Sequence, residues 1–129
     1  MEFLFTDKTT SKIVIQKKVF TIPNGWIEIV SDMLLDVEHI CNNNYGIIPM
    51  YSFIGESYGV LKVEYKWGYE KHEPLGRGVE AIEYTIGLAK NKASKTCCLT
   101  GADGFLCGSD FQVATLCEEK MKLFKFERK

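Results

Sequence analysis

Five cysteines, two histidines and a run of carboxylates are the side chains of this 129-residue chain with the means to do chemistry. Cys97, Cys98, Cys107 and Cys117 fall close together near the end of the chain. A zinc ribbon needs four ligands arranged tetrahedrally, commonly from two C-x2-C knuckles. Counting from Cys97, the second ligand position holds Thr100; counting from Cys117, it holds Lys120. Each knuckle keeps its first cysteine and lacks its second. Cys97 and Cys117 are the candidate ligands that remain, half of a metal site, and the competing reading is buried structural thiols. No cofactor is expected.

Acid–base or nucleophilic catalysis finds little to work with. His39 sits in an acidic segment and His72 in a charged loop, and neither has a serine or cysteine paired with it locally. Glu56, flanked by glycines, is a candidate general base or a solvated turn carboxylate. Gly76-Arg77-Gly78 is a candidate anion cradle at a helix start, or an ordinary loop-to-helix junction. A small hydrolase or anion-binding enzyme built on Glu56 and Arg77 is therefore the weakest of the functional readings, and the chain is expected not to be an enzyme.

Charge placement says more. Lys and Arg total 16 against 17 Asp and Glu, a formal net charge of -1. A strongly basic nucleic-acid binder is not indicated by that balance. The balance conceals a 43-residue stretch, Val19 to Leu61, without a single Lys or Arg, carrying Glu28, Asp32, Asp36, Glu38 and Glu56. The last twelve residues instead hold five basic side chains, Lys120, Lys122, Lys125, Arg128 and Lys129, against three acidic ones.

The elements that must position these residues follow from periodicity. The segment 25–42 reads as a helix. Trp26, Val30, Met33, Val37, Ile40 and Cys41 fall on one face at ~100° per residue. Glu28, Asp32 and Asp36 recur on the opposite face with His39 beside them. Leu35 lies about 160° from the core direction, among the carboxylates. Asn24 is the expected N-cap, and Asn42 to Asn44 with Gly46 the expected stop. Residues 12–16 and 18–22 read as strands, with 7–11 as a turn. The segments 47–54 and 60–67 read as a strand pair, with 55–59 as its turn. Residues 68–78 read as a loop. A second helix is expected over 78–93, with Val79, Ile82, Ile86, Ala89 and Ala93 inward, and Gly87 at a close packing contact. In the tail, 96–100 and 111–117 read as strands, 101–104 and 108–110 as turns, and 118–124 as one or two helical turns. The expectation is one α+β domain over 1–129: a small antiparallel sheet packed with two main helices, plus a C-terminal degenerate zinc-ribbon-like hairpin at 95–124.

Several of these segments resemble an uncharacterised bacterial single-domain family. Asn24-Gly25-Trp26 is similar to its G-W helix start. Residues 54–63, IGESYGVLKV, resemble its I-K-E-K-F-G-G-L-R-F hairpin. Residues 93–104, ASKTCCLTGADG, resemble its S-x2-T-C-x2-C-G-x2-G knuckle, and Thr115-Leu116-Cys117 its T-L-C-x2-C/H ending. The likeness spans about residues 23–120. It implies a zinc-ribbon-like tail in which Thr100 and Lys120 replace the second ligands; it implies architecture more than activity.

Compartment and partners complete the expectation. Phe3-Leu4-Phe5 is too short for a secretory core, no segment approaches the ~18 apolar residues of a membrane span, and five is an odd cysteine count for a disulfide framework. A cytoplasmic protein without membrane contact is expected. An apolar anchor ringed by carboxylates is suited to gripping a basic partner. The leading expectation is a non-enzymatic inhibitor, an immunity protein or antitoxin that neutralises a cognate toxin domain such as a basic nuclease. Its site would be Glu28, Asp32, Leu35, Asp36 and His39. The alternative is a nucleic-acid-binding or regulatory module, with Lys120, Lys122, Lys125, Arg128 and Lys129 on phosphates and Phe124 and Phe126 among them.

Overall fold

The computed structural model describes residues 4–43, 47–69 and 76–129. The first hairpin pairs β1 (Thr10–Ile15) with β2 (Lys18–Pro23). Only Gln16 and Lys17 separate them, both at positive φ, 53° and 65°. Positive φ at both central residues suits a two-residue hairpin turn, whose twist matches that of the strands. Neither residue is glycine, so the turn is strained, and the Gln16 side chain secures it. Its Nε2 donates to the Pro49 carbonyl at 2.7 Å, and its Oε1 accepts the Tyr51 amide at 3.0 Å.

A short 3-10 turn, Asn24–Trp26, leads into α1 (Ile27–Asn43). Asn24 does not cap the helix as expected. Its carboxamide oxygen accepts Ser11 Oγ at 2.6 Å and its nitrogen donates to the Lys8 carbonyl at 2.9 Å. The side chain is spent tying the first hairpin to the helix start. The inward stripe of α1 is as the periodicity required: Trp26, Val30, Met33 and Val37 are buried, with Ile40 and Cys41 half-buried.

The second hairpin joins β3 (Ile47–Ser57) to β4 (Val60–Tyr69). Its turn is shorter than expected. Gly55, Glu56 and Ser57 belong to the strand, and Tyr58-Gly59 alone reverse the chain at φ 50° and 84°. The reason is again the two-residue turn geometry, which glycine accommodates without cost at its second position. A register shift between Tyr51 and Phe53 bends β3. Next comes α2 (Gly76–Ala93), which packs against α1 and β4. Ile82, Ile86, Ala89 and Ala93 are buried and Val79 is half-buried. Gly87 is not at a packing contact. It is exposed, and a Cβ there would meet nothing within 4 Å.

The tail forms a three-stranded antiparallel sheet, ordered β6 (Val113–Leu116), β5 (Phe105–Gly108), β7 (Glu127–Arg128), with α3 (Glu118–Leu123) between β6 and β7. The expected strand at 96–100 is reduced to one bridge, Thr96 to Asp103. The strand that pairs with β6 is Phe105–Gly108, a segment whose glycine and cysteine mask its strand character. The described residues form an α+β fold with three small antiparallel sheets, where one sheet and a C-terminal ribbon-like hairpin were expected. A single set of buried side chains runs from Phe20 and Ile22 through Trp26 and Ile54 to Cys97, Leu116 and Phe126.

Candidate partner-binding face

The acidic side of α1 comes first. Glu28, Asp32, Leu35, Asp36 and His39 all lie on the exposed side of one helix, spaced by three and four residues, so they share one face. Leu35 is 63% exposed. Among the described residues, none of these carboxylates is in an ion pair; the two ion pairs present, Lys62–Glu64 and Lys122–Glu118, lie elsewhere. The face is thus a row of carboxylates around an uncovered leucine, a concentration of one sign of charge. Glu38 stands at its edge, also exposed.

The tail brings the knuckle positions together without completing a metal site. Cys97 is fully buried and Cys117 is 9% exposed. The Thr100 hydroxyl, standing where a second ligand would be, lies 3.8 Å from Cys117 Sγ. Burial raises the Cys97 thiol, but the Thr100 hydroxyl and the backbone amides of Cys117, Leu99 and Thr100 outweigh burial and hold it below its ordinary value. Cys98 is pushed well up by burial, and Cys107 is raised for the same reason. A threonine hydroxyl and a lysine ammonium do not complete a zinc ligand set. No group of three or more His, Cys, Asp or Glu that could hold a metal occurs among the described residues.

The segments that carry the family resemblance meet at one point. The Gly25 amide donates to the Cys98 carbonyl at 2.8 Å, and Trp26 Nε1 donates to the Thr96 carbonyl at 2.9 Å. A Cβ at Gly25 would collide with the Cys97 carbonyl and stand 2.7 Å from Gly101 N. Thr115, 1% exposed, donates its hydroxyl to the Gly59 carbonyl at 2.7 Å, and the Cys98 amide donates to the Thr115 carbonyl at 2.9 Å. Helix start, hairpin turn, knuckle and tail strand are therefore locked to one another by short hydrogen bonds.

Glu56 Oε1 accepts the Gly59 amide at 2.8 Å, closing the hairpin turn; burial raises its carboxyl, and that hydrogen bond partly offsets the rise. It is a half-buried strand residue rather than a solvated turn carboxylate, and its charge is felt by the Cys98 thiol, which burial chiefly pushes up. Gly76-Arg77-Gly78 forms the first turn of α2. His72 and the Arg77 side chain lie outside the described residues. In the basic tail, Lys122 pairs with Glu118 at 3.2 Å, and Arg128 stacks over Phe105 at 4.4 Å from its centroid. Phe126 is buried and Phe124 half-buried, so neither ring is free to stack on a base.

Sequence reasoning missed one feature altogether. On the flank of α1 between its core stripe and its acidic face, a cleft opens against β1 and β3, reached by Glu38, Cys41 and Tyr51. Its sequence signal is Leu34, an apolar residue beside Val37 and Cys41 that widens the core stripe of α1. No helix is long and apolar enough to cross a membrane among the described residues. Comparison with known proteins returns no matching family model, no matching curated protein and no matching solved structure.

Proposed function

We propose that this chain is a non-enzymatic inhibitor that binds another protein through the exposed side of α1. In its most specific form it is a cytoplasmic immunity protein or antitoxin that neutralises a basic toxin domain, such as a nuclease. One observation carries the reading: Leu35, 63% exposed, stands within a row of carboxylates that have no ion-pair partner among the described residues. Like charges spaced four residues apart on a helix oppose its formation by a few tenths of a kcal/mol per pair. A binding surface gains from the same arrangement, because a field of one sign speeds encounter with a partner of the other. A nuclease presents positive surface to its substrate and so suits this face. Glu28, Asp32 and Asp36 supply the charge, Leu35 the apolar anchor and His39 a flanking polar contact.

The test is capture from the native host with the parent chain and with the double variant Asp32→Lys/Asp36→Lys, followed by association kinetics at rising salt. The expected result is a basic protein held by the parent and lost by the variant, with an association rate that falls as salt rises. A partner held equally by both chains removes this face from the interaction.

A further inference from the structure

The outer side of α2 carries a pattern that the fold does not use. Ile82, Ile86, Ala89 and Ala93 face the core. At ~100° per residue the opposite direction belongs to Glu80, Tyr84, Gly87 and Asn91, spaced by four, three and four residues. That is the spacing of a seam along which one helix lies against another. All four residues are exposed, Tyr84 by 69%. Leu88, also exposed, stands beside the tyrosine. The packing of α2 against α1 and β4 leaves this side uncovered.

Gly87 supplies the second observation. Glycine inside an exposed helix weakens it relative to alanine, and nothing within the chain requires a glycine here. It lies in mid-helix, its backbone is not left-handed, and a Cβ would meet nothing within 4 Å. What its bare backbone permits is the close approach of a second chain. Charge supplies the third observation. Glu83 and Lys90 lie on the same flank of the seam, one before Gly87 and one after it. Both are exposed, and neither is in an ion pair among the described residues. The flank is therefore acidic on one side of the glycine and basic on the other, which makes it complementary to itself when reversed.

We propose that the outer side of α2 binds a second copy of this chain, the two helices running antiparallel and crossing at Gly87. A two-fold contact of this kind is made by the same patch on both copies, so every pair forms twice. Tyr84 of each copy lies over Gly87 of the other and fills the gap that the glycine leaves. Glu80 meets Asn91, an acceptor against a donor. On the flank Glu83 of each copy meets Lys90 of the other. A parallel pair would leave Glu83 beside Leu88 and without a cation. The seam is short, so the dimer is a weak one. It lies on a different helix from the protein-binding face of α1 and does not rest on that reading.

The experiment is sedimentation velocity of the full chain between about 1 μM and about 1 mM, with urea unfolding measured at the dilute end. The parent is expected to pass from monomer to dimer across that range. Gly87→Gln should weaken the dimer at least about tenfold. The same change should raise the urea midpoint of the dilute chain, because an exposed helix has lost a glycine. Tyr84→Ala should weaken the dimer to a similar degree. Glu83→Lys and Lys90→Glu should each prevent self-association alone. An equal mixture of those two variants should dimerise again, since each chain then carries the charges that the other lacks. The proposal is overturned if the parent stays monomeric at the highest concentration, if any of the four variants alone dimerises like the parent, or if the mixture stays monomeric.

Discussion

Two regions of this molecule use similar kinds of residue to opposite ends. At the junction of Gly25, Gly59, Cys98 and Thr115, polar atoms are buried, and short hydrogen bonds join segments far apart in the chain. On the outer side of α1, polar atoms are exposed and have no ion-pair partner among the described residues. The first region spends its polar groups on holding the fold; the second leaves them available. Cysteines and glycines in a recurring pattern suggested metal chemistry, yet they mark the place where backbones approach too closely for side chains. The unremarkable carboxylates are the groups with something left to offer.

The contrast can be broken by substitution, and the largest effect belongs to the junction. Gly25→Ala places a methyl group against the Cys97 carbonyl and the Gly101 amide. Overpacking against backbone that cannot move aside should cost about 3 kcal/mol, read as a lower urea midpoint. An unchanged midpoint would mean that helix start and knuckle are not held together. Thr115→Val keeps the shape but removes the hydroxyl from the Gly59 carbonyl. An unmet buried acceptor costs about 1–3 kcal/mol. Thermal unfolding of the variant should show that loss, and a stability equal to the parent's would place the hairpin turn outside the junction.

Glu56 sharpens the comparison by pH. Its carboxyl is raised in the fold, chiefly by burial. The folded state therefore favours the protonated form. The stability this contributes is complete below the unfolded pKa and is lost as pH rises through the folded one. Unfolding followed from acid toward neutral pH should show this decline, and Glu56→Gln should abolish it while still accepting the Gly59 amide. A decline that persists in Glu56→Gln belongs to another group. The smallest effect belongs to the outer face. Leu35→Ala should change stability by no more than about 0.5 kcal/mol, while weakening capture of the partner. A large stability loss would make Leu35 a packing residue and remove it from the binding surface.

Much of the fold was legible because it is written in local periods. The inward stripe of α1, the buried side of α2 and the four early strands follow from spacing, but the turns do not: the first was expected at 7–11 and lies at Gln16-Lys17, and the second is shorter than expected. What escaped depends on contacts between distant segments. Asn24 has the right chemistry to cap a helix, but Ser11 and Lys8 compete for it. Phe105–Gly108 becomes a strand because β6 and β7 lie on either side of it. Gly87 suggested a close contact, and its neighbours left it facing open space. The acidic face was legible because exposure needs no partner. The cleft was not, since its walls come from three elements.

The Gln16 bridge has a consequence beyond securing its own turn. A strand edge with open amide and carbonyl groups invites the strand of another molecule to add to it. At Pro49 and Tyr51 the outer rim of β3 offers no such invitation. One position has no amide hydrogen, and Gln16 and Lys18 occupy the neighbouring amide and both carbonyls. A carboxamide and an ammonium group thus stand in for a missing strand. They let two small sheets lie side by side without merging, and they guard this rim against self-association.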